Sequence, residues 1–199
     1  MSRYDETFSD WSKESHLSSY LNKGLKKPQK VEPLFMKALQ FAQIFYQKSQ
    51  GSFDISISSN NSSGLKNLRL DLVNHLFHFT QDAPTSLTFN GFVKGMAIGE
   101  LSQMLLKMGI DHFLIDGGGG NLAVTNRELL TNTYAELSWL RLTPRKVYFI
   151  SNSAPTQPQG KDYQHIKAPQ NLAKKLEKSY QIICSSTYAE QSLWPYFSS

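Results

Sequence analysis

The sequence predicts an α+β fold, a single domain over residues 1–199 with mixed or antiparallel sheets packed by helices. Three observations point there. A chain of 199 residues has the length of one domain. Its 40% hydrophobic content against 19% charged residues suffices for a packed core, and twelve Phe and nine Tyr supply much of the volume. Helical and strand-like periodicities are mixed without a regular βαβ alternation, and no fixed-period repeat is visible.

The elements follow in chain order. Residues 1–30 are polar, with Phe8, Trp11, Leu17, Tyr20 and Leu21 as scattered apolar anchors, and Lys23 to Pro28 reads as a loop. Pro33 opens a helix that runs from Leu34 to about Lys48, because its missing N–H falls where no partner exists anyway. Leu34, Ala38, Phe41 and Phe45 form its stripe, and Phe35, Leu39, Ala42 and Tyr46 widen it. Gly51 stops the helix. Ser52 to Ser58 alternates apolar and polar residues from Phe53 and reads as a strand or extended segment, with Ser59 to Gly64 as a turn or loop.

Leu68–Leu72 and Leu76–Thr80 read as a hairpin, broken off at Asp82-Ala83-Pro84, and Leu87–Phe89 as one more short strand. A second helix follows Asn90-Gly91. Its expected apolar face is Met96, Leu101, Met104, Leu105 and Met108, and Gly109 ends it. His112–Asp116 reads as a buried strand, four glycines follow, and Leu122–Val124 resumes a strand. Ser138–Leu142 and Lys146–Ile150 read as a hairpin around Thr143-Pro144-Arg145, and 151–162 as a loop. Tyr180–Cys184 is an expected strand, Tyr188–Trp194 a short helix, and 172–178 a stretch of helix formers.

The charge balance argues against some functions. Lys and Arg total 21 and Asp and Glu 16, a net +5 with no long basic run or Arg-rich arm. A solvated lysine-rich face accounts for that, so no nucleic-acid partner is expected. Cys184 is the one cysteine, which excludes an intrachain disulfide and a cysteine-based metal knuckle. No stretch approaches the roughly 18 apolar residues of a membrane span. Met1 to Glu6 has no apolar segment ahead of its charges, so no signal peptide is read and the chain as it stands reads as cytoplasmic. Removal of a leader would make a periplasmic location compatible with the same sequence.

Several residues carry chemistry in principle. The run Gly117 to Gly120 lets backbone approach a ligand, and equally suits a tight turn or a packed crossing. It is not a dinucleotide fingerprint, because a strand-like segment follows it rather than a helix. Lys94-Gly95 stands at an expected helix start, where free N–H groups and a lysine suit a phosphate, or where the lysine is simply solvated. His165 has the right pKa range for a general base, although a lone His is commonly structural. His75 and His78 are weak metal candidates. Glu190 offers a hard oxygen ligand for Mg²⁺, or is a surface residue of a helix's first turn. Cys184, after two isoleucines, reads as a small hydrophobe.

The order of these blocks resembles the ApbE family, the FAD:protein FMN transferases. Phe8-Ser9-Asp10-Trp11, Ser15-His16-Leu17-Ser18 and Leu21-Asn22 resemble the family's N-terminal signature. Gly51 to Ile57 resembles its "G-A-F-D-x-T-V", and Leu87 to Ala97 its "L-D-L-G-G-I-A-K-G-Y-A". Asp116 to Gly119 resembles "N-A-G-G", Tyr163 to Ile166 with Pro169 resembles "Y-x-H-I-I-D-P", and Ile182 to Glu190 resembles "V-I-A-P-T-A-x-x-A-D".

The resemblance implies a chemistry and a site. FAD is the substrate, with Mg²⁺ on its pyrophosphate. A threonine hydroxyl of an acceptor flavoprotein attacks the phosphorus on the FMN side, and AMP leaves. Trp11, Ser52, Phe53, Asp54, Thr88, Lys94, Gly118 and Gly119 are the implied cofactor-binding positions. His165 is the implied base, and Gly91 and Glu190 the implied metal positions. The sequence departs from the pattern where Glu190 replaces Asp and Trp194 replaces a Thr ligand. Thr88, Ala168 and Gly120 replace three further carboxylates. Two readings follow: an FMN transferase with a weakened metal site, or a catalytically degenerate relative that binds flavin or a protein partner without transfer.

Overall fold

The structure is a computed structural model that describes residues 3–48, 50–51, 53–56, 64–117, 121–133, 147–153 and 180–186. These fall into two compact units, one ending at Val93 and the other beginning at Lys94. The architecture is the expected α+β mixture: helices with two small antiparallel sheets.

The first unit opens with two short helices that the sequence pattern did not announce, α1 (Arg3–Phe8) and α2 (His16–Lys23). Helices this short are marginal alone and depend on burial. Ser15 caps α2 by accepting a hydrogen bond from the Ser18 N–H at 3.1 Å, and Gly24, at φ 81°, ends it. Phe8, Leu17 and Tyr20 are buried. Their ring contacts explain why 1–30 is not the loose segment its polarity suggests. Phe8 stacks on Phe35 at 5.7 Å, and Tyr20 meets Phe35 edge-on at 4.8 Å.

Phe35 belongs to α3 (Pro33–Lys48), the expected helix with its expected start. Leu34, Ala38 and Phe45 are buried as the stripe requires, and Phe41 is half-buried. Past its end, Gly51 takes φ 82° and its N–H reaches the Tyr46 carbonyl at 2.8 Å. The first sheet has the order β1-β3-β2, all antiparallel, from β1 (Gln29–Lys30), β2 (Leu68–Asp71) and β3 (Leu76–Phe79). The hairpin β2–β3 is thus as expected. Its turn is held by Asp71, whose carboxylate accepts from the Val73 and Asn74 N–H groups and from the Asn74 side chain at 2.7 Å.

Among the described residues neither Phe53–Ser56, part of the segment expected to be a strand or extended, nor Leu87–Phe89 forms a sheet strand, and Ser52, Ile57 and Ser58 lie outside them. Phe53 forms one isolated bridge, and Ile55 and Ser56 lie in a turn. The alternation misled because Phe53, Asp54, Ile55 and Ser56 are all buried, with no solvent face for the polar residues. Leu87–Phe89 joins no ladder either, although the Thr88 N–H bonds to the Ile55 carbonyl at 2.8 Å.

In the second unit, α4 (Val93–Lys107) lies on a sheet of order β4-β5-β6-β7, antiparallel throughout. Its strands are β4 (Leu114–Asp116), β5 (Asn121–Val124), β6 (Val147–Ser153) and β7 (Tyr180–Ser186). Ile98, Phe113, Ala123 and Val147 form the core, with Leu105, Leu106 and Ile115 packed against it. Gly117 is required here: a Cβ on it would collide with the Ile98 side chain and come within 3.1 Å of the Asn121 carbonyl. The first glycine of the run therefore serves close packing. β4 is shorter and less buried than expected, with Phe113 the buried residue of that stretch.

Three differences stand out. The buried side of α4 is Gly95, Met96, Ile98 and Ser102, whereas Leu101, Met104 and Met108 of the expected apolar face are exposed. Both edges of β6 are taken by β5 and β7, which leaves none for a hairpin with 138–142, itself outside the described residues. A further helix, α5 (Arg127–Thr133), begins where the Asn126 side chain accepts from the Glu128 N–H at 2.7 Å. The expected helix at Tyr188–Trp194 and the 172–178 stretch lie outside the described residues. Among the described residues no helix is long and apolar enough to cross a membrane.

Candidate functional site

Three segments far apart in sequence are tied together in the first unit. Asp10, beside Trp11, accepts a hydrogen bond from the Asn90 amide at 2.9 Å. Asn90 precedes Gly91. Thr88, two residues earlier, is joined to Ile55 through the backbone bond already described. Beneath these links the Phe53 ring meets Phe45 at 5.6 Å and Phe92 at 5.9 Å, both edge-on. Phe92 also meets Phe89 at 6.0 Å. An aromatic floor of this kind fixes the backbone above it, which is how loops come to hold a defined site.

The candidate residues divide by environment. Trp11 is 77% exposed, the only large aromatic side chain so placed among the described residues. Gly91 and Lys94 are exposed too. Phe53 and Asp54 are buried and act from within. Asp54 Oδ1 accepts from the Ser56 N–H at 2.9 Å and the Ser56 hydroxyl at 2.7 Å, so this carboxylate organises its own turn. A Cβ on Gly64, at φ 77°, would stand 2.6 Å from Asp54 Oδ2 and 3.1 Å from the Tyr46 hydroxyl. Burial, and then the negative charge of Asp54, raise the Tyr46 phenol above its ordinary value.

Thr88 differs from the rest. It is buried, yet its hydroxyl oxygen has no hydrogen-bond partner among the described residues. A polar group left so costs stability and marks a place that a ligand atom would satisfy.

Lys94 sits in the first turn of α4 and belongs to the second unit. Ser52, Gly118, Gly119, His165 and Glu190, with Ala168 and Trp194, lie outside the described residues. The structure thus brings Thr88 and Gly91 together with the Trp11 and Phe53-Asp54 segments. Asp10 and Asn90 were not singled out as site residues from the sequence, because 80 positions separate them and neither sits in a motif whose chemistry demands the other. Among the described residues no group of three or more His, Cys, Asp or Glu side chains gathers around a metal-sized space.

The fold and this arrangement are similar to those of proteins described as flavin transferases. Residues 1–63 match the ApbE family model, described as the ApbE family. The structure is similar to the apo form of the flavinyl transferase ApbE from Pseudomonas stutzeri, with TM-score 0.60 and 13% identity, over 82% of this chain and 61% of that one. It is similar to the flavin transferase ApbE from Vibrio cholerae, with TM-score 0.58 and 15% identity, over 81% of this chain and 62% of that one. A histidine-to-glycine mutant of the latter gives TM-score 0.57 and 14% identity, over 76% and 60%. The chain spans about six-tenths of the length of these structures. No curated protein matches the sequence. The chain therefore has an N-terminal segment that matches the ApbE family model and a fold similar to that of the ApbE structures.

Proposed function

We propose that this protein binds FAD and transfers its FMN half to a threonine hydroxyl of an acceptor flavoprotein. The observation that carries the reading is the convergence in the first unit of the Trp11, Phe53-Asp54 and Thr88–Gly91 segments, with the Thr88 hydroxyl left unsatisfied. The ApbE match over residues 1–63 and the similarity to flavin transferase structures support it.

In this reading Trp11 offers an exposed face on which a planar ring system stacks. Thr88 gives its hydroxyl hydrogen bond to the flavin, which removes the cost of the buried orphan. Phe53 and Asp54 hold the turn that shapes the site. By the resemblance, Lys94, Gly118 and Gly119 are the positions expected to balance charge at the pyrophosphate. The acceptor oxygen forms a bond to the FMN phosphorus, the bond from that phosphorus to the bridging oxygen breaks, and AMP departs with it. His165 takes the hydroxyl proton.

The donor chemistry fits Mg²⁺ in kind, since the exposed Gly91 backbone is a hard oxygen donor and Glu190 would supply charge. A bound Mg²⁺ would neutralise pyrophosphate charge and ease departure of AMP. A second reading is favoured by one described residue. Thr88 is neutral where the resemblance has a carboxylate, as Ala168 and Gly120 are, which weakens the field for a metal. The protein then binds flavin without transfer.

One experiment separates these. FAD is titrated into the protein with Mg²⁺ or with EDTA, and AMP release is followed with water or a threonine-bearing acceptor. Saturable binding with Mg²⁺-dependent AMP release supports transfer. Binding without AMP supports the degenerate reading. Absence of saturable binding in both buffers removes both.

A further inference from the structure

A cleft of about 410 Å³ opens in the first unit between the end of α2 and the segment 83–85, and it shares no residue with the candidate site. Lys23, Lys26 and Lys27 line it from the first segment, and Pro84 and Thr85 from the second. All three lysines are exposed, and no acidic side chain is among the lining residues. Among the described residues none of the three forms an ion pair. Lys23 Nζ lies over the Tyr20 ring, 5.9 Å from its centroid. Asp82, next to this second segment in the chain, pairs with none of them.

The loop that carries these charges is fixed in place. Gly24 turns the chain at the end of α2 with φ 81°. The buried Gln29 side chain donates from Nε2 to the Tyr20 carbonyl at 3.0 Å and to the Gly24 carbonyl at 2.9 Å. Leu25 is buried, and its carbonyl accepts from the Phe79 N–H at 2.8 Å. Three ammonium groups on so short a loop repel one another. The negative end of α2 offsets this for Lys23, which stands in its last turn, and not for Lys26 or Lys27 beyond it. An anion among the three removes the repulsion.

We infer that this cleft is a binding site for a compact polyanion of two or more linked phosphates. A lysine ammonium is a point charge with freely turning donors, which suits phosphate oxygens approached from several sides. The volume is that of a small-molecule pocket, which favours a compact anion over a peptide. The inference does not rest on the flavin reaction, and its test uses no flavin.

Isothermal titration calorimetry with tripolyphosphate should show saturable binding that weakens as salt rises. The thermal midpoint should climb with tripolyphosphate concentration, as binding to the folded state requires. Lys26→Gln combined with Lys27→Gln should lower the affinity about tenfold or more, with an unchanged circular dichroism spectrum because both side chains are exposed. Thr85→Glu, which brings an acid to the second segment, should weaken binding without touching a lysine. Lys94→Gln should leave it as it is. Adenosine triphosphate separates the sources of such an anion. Tighter binding than tripolyphosphate assigns the cleft to a phosphate chain on an organic body, and equal or weaker binding to the free polyphosphate. Absence of saturable tripolyphosphate binding overturns the inference. So does binding that survives the double lysine exchange, or binding that Lys94→Gln removes.

Discussion

Thr88 keeps a hydroxyl sealed from water with nothing bonded to it. Thr88→Val removes that orphan at nearly constant volume, so the free protein should gain about 1 kcal/mol of stability. FAD binding should weaken in the same variant if the hydroxyl serves the flavin. A thermal melt and a fluorescence titration read the two effects, and a gain in stability with unchanged affinity would remove Thr88 from the site. Gly64 makes the opposite case. Its φ of 77° with ψ −171° is essentially reserved for glycine, and a Cβ would press on Asp54. Gly64→Ala should cost about 1–3 kcal/mol from backbone strain alone, with the contact adding to it. Chemical denaturation checks this, and a loss under 0.5 kcal/mol would refute the close approach. Tyr46 gives a pH dependence. Its phenol is raised above 10.0 by burial and by Asp54, so the folded state holds the proton more tightly than the unfolded chain. That contribution is whole below pH 10 and declines as pH rises through the folded value. Stability should fall on the alkaline side, less steeply in Tyr46→Phe, as denaturation midpoints between pH 8 and 11 would report.

Among the elements, the long ones were legible and the short ones were not. α3 shows its stripe, its proline start and its glycine stop, and the structure keeps all three. The β2–β3 hairpin was legible because its turn chemistry is local. Its Asp71 is held below the ordinary carboxylate range by the Asn74 side chain, then by the Asn74 and Val73 N–H groups. A depressed carboxylate stabilises above its unfolded pKa, and that stability is lost as pH falls through the folded value. Asp71→Ala should therefore destabilise the protein at pH 7 and much less at pH 2, as thermal melts at both values would show. α1 and α2 were hidden because their ring partners in α3 and β3 arrive from elsewhere in the chain. The apolar residues of α4 were visible, but their period cannot say which side meets a sheet. Ile98 decides it from the structure, and Ile98→Ala should cost about 2–5 kcal/mol by leaving a cavity among Phe113, Ala123 and Val147.

For the molecule as a whole, the fold class followed from composition and mixed periodicity, and the ApbE resemblance from the order of weak blocks. The structure joins three of those blocks in one unit through the Asp10–Asn90 and Thr88–Ile55 bonds. Such links were not legible, since a hydrogen bond between residues 80 positions apart leaves no mark on either neighbourhood. Half of the candidate site is therefore seen as geometry. The other half, with His165 and Glu190, stands on the sequence resemblance.

The sheet of the second unit has a consequence for synthesis. β6 pairs with β7 along its whole length, yet residues 154–179 separate the two in the chain. A nascent chain that has just delivered β6 thus presents a seven-residue row of unpaired N–H and C=O groups while the ribosome makes the next segment. That interval is when a chaperone would bind, or when two nascent chains on one message would cross-pair. Expression of this protein should accordingly be most sensitive to translation pauses between β6 and β7, and least to pauses before α4.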